Sequence, residues 1–462
     1  MQGGFMGRLF GTDGIRGIAG VELTPELAFK AGRAAAYVLT QNSMRPPHFL
    51  VARDTRISGP LLEAALTAGL ASVGATVYLA GVISTPATAY LTRYCGGCGG
   101  VMISASHNHY PDNGLKFFNA DGFKLPDESE EEIERLYFLT DDKLPRPSAA
   151  RIGRIQPFAD AEERYLDFLL GTVTRRFDGY RVVLDCANGA VFNLAPHAFR
   201  ALGAEVAAIH ASPDGLNINK DCGSTNYREV AKAVREMGAD LGFAFDGDAD
   251  RVLAVNERGE LVDGDAIMAV YATHLQEQGR LRHNTLVATV MSNIGLDKAA
   301  EATGFRVLRT KVGDRYVLEE MLAGGYNLGG EQSGHIIMLD HSTTGDGLLA
   351  ALQLMSLVAG SGRPLSALSG HIQRYPQVLV NCRVARREGL AESERLRLAV
   401  TETNQILAGR GRLLVRPSGT EPLVRVMLEG PDENELHILA NKLADIIFEE
   451  FGEGGVIARC VE

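Results

Sequence analysis

The 462-residue sequence contains no apolar run approaching the roughly 20 residues a membrane helix needs, so no span is expected. Its first residues, Met1-Gln2-Gly3-Gly4-Phe5-Met6-Gly7-Arg8, lack the apolar stretch of a signal peptide, and a cytoplasmic location is expected. Cysteine is scarce: Cys95, Cys98, Cys186, Cys222, Cys382 and Cys460 cannot frame a chain this long with disulfides. Only Cys95 and Cys98 make a C-x-x-C pair, and no second pair lies near to complete a zinc site. That pair reads as a glycine-rich loop, Cys95 to Gly100, leading into a buried strand. Cationic residues are outnumbered, 46 Lys and Arg against 57 Asp and Glu, and the net charge of −11 excludes a broad nucleic-acid or anionic-membrane surface. An anionic substrate would need cations gathered at one place, which directs attention to arginines and lysines in glycine-rich loops.

The remaining composition, 45% hydrophobic and 22% charged, is that of a globular protein. The length exceeds one ordinary core and implies three or four domains. One pattern recurs three times: an apolar run, an amphipathic helix, a glycine, and a second apolar run. The first copy is Phe49 to Ala52, a helix from about Leu61 to Val73, Gly74, then Ala75 to Leu79. The second is Arg181 to Leu184, a helix around Ala195 to Leu202, Gly203, then Glu205 to Ile209. The third is Leu286 to Val290, a helix around Gly295 to Thr303, Gly304, then Phe305 to Leu308. The glycine suits a helix C-terminus that ends in left-handed backbone. Strand–helix–strand units predict α/β layers with parallel or mixed sheets, here three related ones. After Gly360-Ser361-Gly362-Arg363-Pro364 the pattern changes to alternating strands and two helices, a smaller α+β domain. With a further linker near Pro145 to Ser148, the expected domains are 1–152, 153–256, 257–370 and 371–462.

Five loops carry chemistry. Val101-Met102-Ile103 leads into Ser104-Ala105-Ser106-His107-Asn108, at the strand end where parallel folds bind ligands. Asn113-Gly114 beyond it predicts a turn, after which Lys116 points to one face; Ser106 needs such a cation or a base such as His107 to react. Leu241 to Phe245 leads into Asp246-Gly247-Asp248-Ala249-Asp250-Arg251, where a cation is the natural reason to gather three carboxylates. Small Gly247 and Ala249 let that segment curl. An EF-hand is the rival reading, but Arg251 stands where its glycine is required, and the flanks read as strands. Gly329-Gly330-Glu331-Gln332-Ser333-Gly334-His335 offers Glu331 and Ser333 to sugar hydroxyls or an amine, with His335 as an acid or base. Arg416-Pro417-Ser418-Gly419-Thr420-Glu421-Pro422, with Arg425, reads as a phosphate cradle without a metal. Phe10-Gly11-Thr12-Asp13-Gly14-Ile15-Arg16-Gly17 allows close backbone approach and brings Arg16; its glycines do not have the dinucleotide spacing. Arg53 and Arg56, after the first strand, add two cations.

Taken together, these loops resemble the signature loops of the α-D-phosphohexomutase family, five of them in the same order. The resemblance runs from Phe10 to about Met427. It implies four domains around one central cleft, one Mg²⁺ per active site and a phosphoserine carrier at Ser106. In that reading the Ser106 phosphate completes the metal shell with Asp246, Asp248 and Asp250. Arg16, Lys116 and Arg251 offset charge on the transferring group, and Lys116 or His107 is the general base. Arg416, Ser418, Gly419, Thr420 and Arg425 would hold the substrate's other phosphate, with Lys311, Glu331, Ser333 and His335 also on the substrate. Three segments, Gly330 to His335, Lys311 to Val317 and Thr343 to Gly347, are most similar to members that act on glucosamine phosphates. The implied reaction exchanges the 6- and 1-phosphates through a sugar 1,6-bisphosphate, upstream of UDP-N-acetylglucosamine and cell-wall precursors. Glucose or mannose phosphates are the alternative substrates; a phosphatase and a non-catalytic sugar-phosphate sensor are more distant readings. Expected partners are the sugar phosphate and, at most, a second copy of the chain in a homodimer. One departure stands out: the family has proline directly after Ser-His-Asn, whereas here His109 intervenes and proline follows at Pro111.

Overall fold

The computed structural model describes residues 9–11, 13–41, 43–386, 389–390, 392–417, 422–452 and 460–461. Four sheets follow one another along the chain. The first contains β1 (Ile15–Ile18), β2 (His48–Arg53), β3 (Thr76–Val82), β4 (Gly99–Ile103), β5 (Asp112–Asn119) and β6 (Ile155–Pro157). The second contains β7 (Arg181–Asp185), β8 (Glu205–Ile209), β9 (Leu241–Phe245), β10 (Val252–Asn256) and β11 (Leu261–Val262). The third contains β12 (Thr285–Thr289), β13 (Arg306–Thr310), β14 (Leu328–Gly330) and β15 (Ile336–Met338), and the fourth β16 (Gln377–Arg383), β17 (Arg412–Pro417), β18 (Leu423–Glu429) and β19 (Cys460–Val461).

The threefold pattern is a threefold topology. Each of the first three sheets contains a core in the order second–first–third–fourth strand: β3-β2-β4-β5, β8-β7-β9-β10 and β13-β12-β14-β15. The first three strands of each core are parallel and the fourth is antiparallel. The expected glycines Gly74, Gly203 and Gly304 all sit in left-handed backbone, at φ 97°, 99° and 88°. β4 and β9 are buried at every position, as befits strands with both faces covered. The fourth sheet is antiparallel, and β16 alternates buried and half-buried residues. Its buried residues pack with those of helices Glu394–Leu407 and Glu433–Phe451 in one core. No helix among the described residues is long and apolar enough to cross a membrane.

Three expectations need correction. β6 pairs with β3 and carries the first sheet past residue 152, while β11 pairs with β10 and carries the second past 256. Asn113-Gly114 is not a turn: it lies inside β5, opposite Gly17 and Arg16 of β1. A Cβ at Gly114 would lie 2.6 Å from the Ser104 carbonyl, so glycine here serves close approach rather than chain reversal. The third difference concerns compactness. The described residues of Met1–Met291 and Phe305–Gly370 form one compact unit, and those of Ser292–Gly304 and His371–Glu462 another. Segment 292–304, expected in the third domain, groups with the last because its polar groups are satisfied there. Asn293 bonds the main chain of Tyr375 through both ends of its amide, and Glu429 accepts from the Ile294 N–H at 3.1 Å.

Asp346 caps helix Gly347–Ser361 by accepting from the Leu349 N–H at 2.9 Å, and it accepts from the Tyr165 hydroxyl. Burial nevertheless pushes its carboxyl up to about 6. In the unfolded chain this group ionises near 3.8, so folding loses stability as pH rises from about 4 to 6. Asp346→Asn keeps a carbonyl oxygen for the Leu349 N–H and turns its amide N–H toward the Tyr165 oxygen, which can accept. It should raise stability at pH 7.5 by roughly 2–3 kcal/mol and change little at pH 4, as measured by urea unfolding at the two pH values. Equal effects at both pH values would contradict this.

Candidate active site

The three loops singled out in the sequence occupy equivalent positions. Each joins the third strand of a repeat to its antiparallel fourth: 104–111 between β4 and β5, 246–251 between β9 and β10, and 331–335 between β14 and β15. Each contains one residue in left-handed backbone, Ser106 at φ 52°, Ala249 at 56° and Gly334 at 93°. All lie in the first compact unit.

Ser106 is 2% exposed, and its hydroxyl donates to Asp246 Oδ2 at 2.6 Å. A left-handed serine persists only where its surroundings hold it. Here Arg56 and Asn219 do so. Arg56 donates to the carbonyls of Ser106, Asn108, His109 and Asp112, while Asp54 accepts from its Nε at 2.8 Å. Asn219 Nδ2 donates to the carbonyls of Ser106 and Asn108 at 2.8 and 2.9 Å. The altered stretch His109 to Pro111 is therefore held by carbonyls, including Pro111, which accepts from the Ala19 N–H at 2.9 Å. The side chain at 109 is not needed for that path. Arg56 is thus committed to the loop rather than facing a ligand, and Arg53 pairs with Glu63 at 3.4 Å. Arg56→Met would leave Asp54 buried without its partner and should cost about 3–5 kcal/mol in denaturant unfolding. A loss below about 1 kcal/mol would refute this role.

The acidic loop curls because other elements grip its main chain. The Gly247 carbonyl accepts from Ala190 N–H, Asp248 from Thr85 N–H and Ala249 from Gly347 N–H, at 2.8, 3.0 and 3.0 Å. Gly247 lies so close to the serine loop that a Cβ would be 2.6 Å from the Ser106 carbonyl. The result is three buried carboxylates that can each offer an oxygen within 4.8 Å of the others. The flanks are strands, which agrees with rejection of an EF-hand. Lys116 Nζ donates to Asp248 Oδ2 at 2.7 Å and to Asp250 Oδ2 at 3.3 Å. Asp248 Oδ1 and Asp250 Oδ1 are buried and have no hydrogen-bond partner. Bare oxygens of this kind suit a hard divalent cation. Burial, with Asp250 and Asp248 beside it, holds the Asp246 carboxyl well above the usual range. Burial also opposes ionisation of Asp250, but Lys116, His335 and Arg251 outweigh it and hold that carboxyl low.

The candidate bases differ in state. Burial pushes Lys116 down, but Asp13, Asp248 and Asp250 outweigh it and keep the ammonium charged. Burial, then Arg251 and Arg16, push His107 down to about 4. His107 is therefore neutral near pH 7, with Nδ1 at 3.5 Å from Ser106 Oγ. Arg251 remains charged because Asp250 and Asp246 outweigh its burial. Arg16 is exposed and paired with Asp13.

Of the sugar-facing candidates, Glu331 is half-buried and Ser333 exposed, their side chains 3.4 Å apart. His335 is 2% exposed and sits behind the carboxylates, Nδ1 3.7 Å from Asp250 and Nε2 3.5 Å from Asp314. Burial lowers its pKa, but Asp250 and Asp314 outweigh that and raise it. Its surroundings place it as support for Asp250 rather than as a sugar contact. Lys311 is exposed, with its ammonium 5.6 Å from the centre of the Tyr316 ring, and none of its contacts joins the carboxylates. In the second unit Arg416 and Arg425 stand opposite each other on β17 and β18. Burial, then Arg425, lowers the Arg416 pKa. Ser418, Gly419 and Thr420 lie outside the described residues, as does Thr12.

Sequence reasoning missed Asp13, Lys124, Asp314, Thr85 and Asn219. Asp13 was visible as an acid beside Arg16, and Asp314 lay within the Lys311 to Val317 segment without a role assigned; Lys124, Thr85 and Asn219 carried no local signal. A second mixed cluster, Asp185, His210 and Cys222, is explained by loop organisation: Asp185 accepts from Ala187 and Gly223 N–H groups, both at 2.9 Å. Cys98 is buried and donates to the Pro46 carbonyl at 3.2 Å, just before β4, and burial pushes the Cys95 thiol up to about 11.

This arrangement, three repeats each presenting a polar loop after its third strand and a fourth α+β domain, has a family. Phosphoglucomutase/phosphomannomutase models match the chain in order: alpha/beta/alpha domain I over residues 7–143, domain II over 163–259, domain III over 263–375 and the C-terminal domain over 379–446. The chain belongs to the phosphoglucomutase/phosphomannomutase family, the α-D-phosphohexomutases. Among its relatives, the phosphoglucosamine mutase of Geobacillus thermodenitrificans is 54% identical, covering 97% of this chain and 100% of that protein. That of Moorella thermoacetica is 56% identical over 93% and 97%. The fold is similar to a solved phosphoglucomutase/phosphomannomutase family protein from Burkholderia thailandensis, with a TM-score of 0.81 at 22% identity over 98% and 99% of the two chains. It is also similar to Aspergillus fumigatus N-acetylphosphoglucosamine mutase solved with GlcNAc-6P and magnesium, with a TM-score of 0.59 at 17% identity over 92% and 99%.

Proposed function

We propose that this chain is a phosphoglucosamine mutase that interconverts glucosamine 6-phosphate and glucosamine 1-phosphate through phosphorylated Ser106 and a 1,6-bisphosphate. The observation that carries this is the placement of Ser106: a buried hydroxyl 2.6 Å from one of three clustered carboxylates, in a loop whose main-chain carbonyls Arg56 and Asn219 hold. Its relatives' shared name supplies the sugar. Phosphoserine gives its phosphoryl group to the anomeric hydroxyl: the Ser106 Oγ–P bond breaks as the new O1–P bond forms. The resulting 1,6-bisphosphate turns over and returns its 6-phosphoryl group to Ser106.

Asp246, Asp248, Asp250 and the Ser106 phosphate are the proposed holders of Mg²⁺, which supplies Lewis-acid charge to phosphoryl oxygens when bound. The two bare oxygens on Asp248 and Asp250 support that assignment, and magnesium accompanies the Aspergillus relative. His107, neutral and beside Oγ, is the proposed acceptor of the attacking hydroxyl's proton. Lys116 and Arg251, both held charged, offset charge on the moving group. Arg16, Glu331, Ser333 and Lys311 are proposed on the substrate, and the cationic pair Arg416 and Arg425, with Ser418, Gly419 and Thr420, on its non-reacting phosphate.

A coupled assay offering the 6-phosphates of glucosamine, glucose and mannose tests the reading. Glucosamine should lead in kcat/KM by about 10-fold or more, the discrimination expected where a site bonds one polar substituent. A lead for glucose or mannose would favour the alternative mutases, and stoichiometric release of inorganic phosphate a phosphatase.

A further inference from the structure

Six side chains close a ring through the first compact unit. Lys116 Nζ meets Asp13 Oδ2 at 3.2 Å, and Asp13 Oδ1 accepts from Lys124 Nζ at 2.5 Å. Lys124 also donates to Asp314 Oδ2 at 2.5 Å. Asp314 meets His335, His335 meets Asp250, and Asp250 returns to Lys116. Lysines alternate with carboxylates from Lys116 to Asp314, and His335, whose Nε2 also accepts from the Gly345 N–H at 3.1 Å, links Asp314 to Asp250; the members come from the loop before β1, from β5, from the turn after it, and from the second and third repeats. Lys124 has no contact with Ser106 or the carboxylate triple. It borders a separate cavity of about 440 Å³ lined also by Asp314, His335 and Phe123.

We infer that Lys124 is a positioning residue that sets where Lys116 rests. Lys116 shares one ammonium among Asp13, Asp248 and Asp250. Two of these are the carboxylates a divalent cation would use, so Lys116 competes with the metal for them. Lys124 and Arg16 satisfy Asp13 from its other sides, which leaves Lys116 free to lean on Asp248. Without the Lys124 charge, Asp13 and Asp314 become under-neutralised. Asp13 then draws Lys116 toward itself, away from Asp248 and Asp250. The carboxylates lose their resident cation, gain net negative potential, and should take a metal more readily, while the ammonium that offsets the transferring phosphoryl group is misplaced. The inference deepens the mutase reading and rests on it for the activity readout alone.

The test uses the full-length protein. Mg²⁺ is titrated calorimetrically into metal-free wild type, Lys124→Met, Lys124→Arg and Asp314→Asn, and kcat and KM are measured on the same preparations. Lys124→Met should bind Mg²⁺ about fivefold more tightly while kcat falls about tenfold with KM within about twofold. Lys124→Arg should return both quantities toward wild type. Asp314→Asn, which leaves Lys124 with one carboxylate, should shift Mg²⁺ binding the other way. That opposite pair of signs is not produced by a loosened fold, which weakens metal binding and turnover together. Unchanged Mg²⁺ affinity in Lys124→Met, or weakening in both variants, overturns the inference. If Lys124→Met does not fold, Lys124→Gln takes its place, with the same tighter Mg²⁺ binding expected and unchanged affinity overturning the inference. A wild type without mutase turnover overturns the mutase reading instead, and the metal titration still decides the role of Lys124.

Discussion

Ser106→Ala is expected to lower mutase turnover on the order of 10⁵-fold or more and to abolish stable labelling of the protein by a sugar 1,6-bisphosphate. The size follows from the role. A carrier residue is one of the two partners in every transfer, so its loss removes the pathway rather than one stabilising contact. Ser104, the other serine of the loop, does not stand in for it, because its Oγ is committed to Asp54 Oδ2 at 2.7 Å. The variant should still fold. Its loop is held by Arg56 and Asn219 through main-chain carbonyls, which the substitution leaves in place. The lost bond from Ser106 Oγ to Asp246 is worth only about 1–2 kcal/mol. A folded Ser106→Ala enzyme with wild-type turnover would exclude Ser106 as carrier.

Asp248→Asn should weaken Mg²⁺ binding roughly 10²–10³-fold, with a comparable loss of kcat at low metal concentration. The amide keeps the shape and an acceptor for Thr85, whose hydroxyl meets Asp248 Oδ2 at 2.5 Å. What it removes is charge, and with it one of the two bare buried oxygens. Without metal, the three carboxylates repel one another, which adds to burial in holding the Asp246 carboxyl high. Metal-free Asp248→Asn should therefore be as stable as wild type or more so, while losing most of its stabilisation by added Mg²⁺. Thermal unfolding with and without Mg²⁺ checks both halves. Wild-type Mg²⁺ stabilisation in the variant would move the metal away from this loop.

Much of this was legible because it is local. A β-branched run, an amphipathic helix and a left-handed glycine read the same in all three repeats. So did the buried strand that ends in Ser106 and the one that ends in Asp246. What was illegible depends on distant pairs. Lys124 and Asp314 are 190 positions apart, and nothing in Phe123-Lys124-Leu125 announces a half-buried ammonium between two carboxylates. Arg56 read as a cation for an anionic ligand, because composition cannot reveal that four carbonyls already occupy its guanidinium. Asn113-Gly114 read as a turn because that dipeptide favours turns, whereas here the missing Cβ admits a carbonyl from the adjacent loop. Segment 292–304 follows β12 in the chain, but its polar partners Tyr375 and Glu429 lie far ahead. At the His109 departure the loop is held through main-chain carbonyls by Arg56 and Asn219, partners more than 50 positions away that the loop's own residues do not reveal.

The central claim is that the phosphate leaving on the product came from Ser106. It is tested most directly by a single turnover of the phosphorylated enzyme with glucosamine 6-phosphate carrying an isotopic label in its phosphate. Unlabelled glucosamine 1-phosphate is expected in the first turnover, with the label on the peptide containing Ser106. Label retained in the glucosamine 1-phosphate, or released as inorganic phosphate with Ser106 unlabelled, would contradict it.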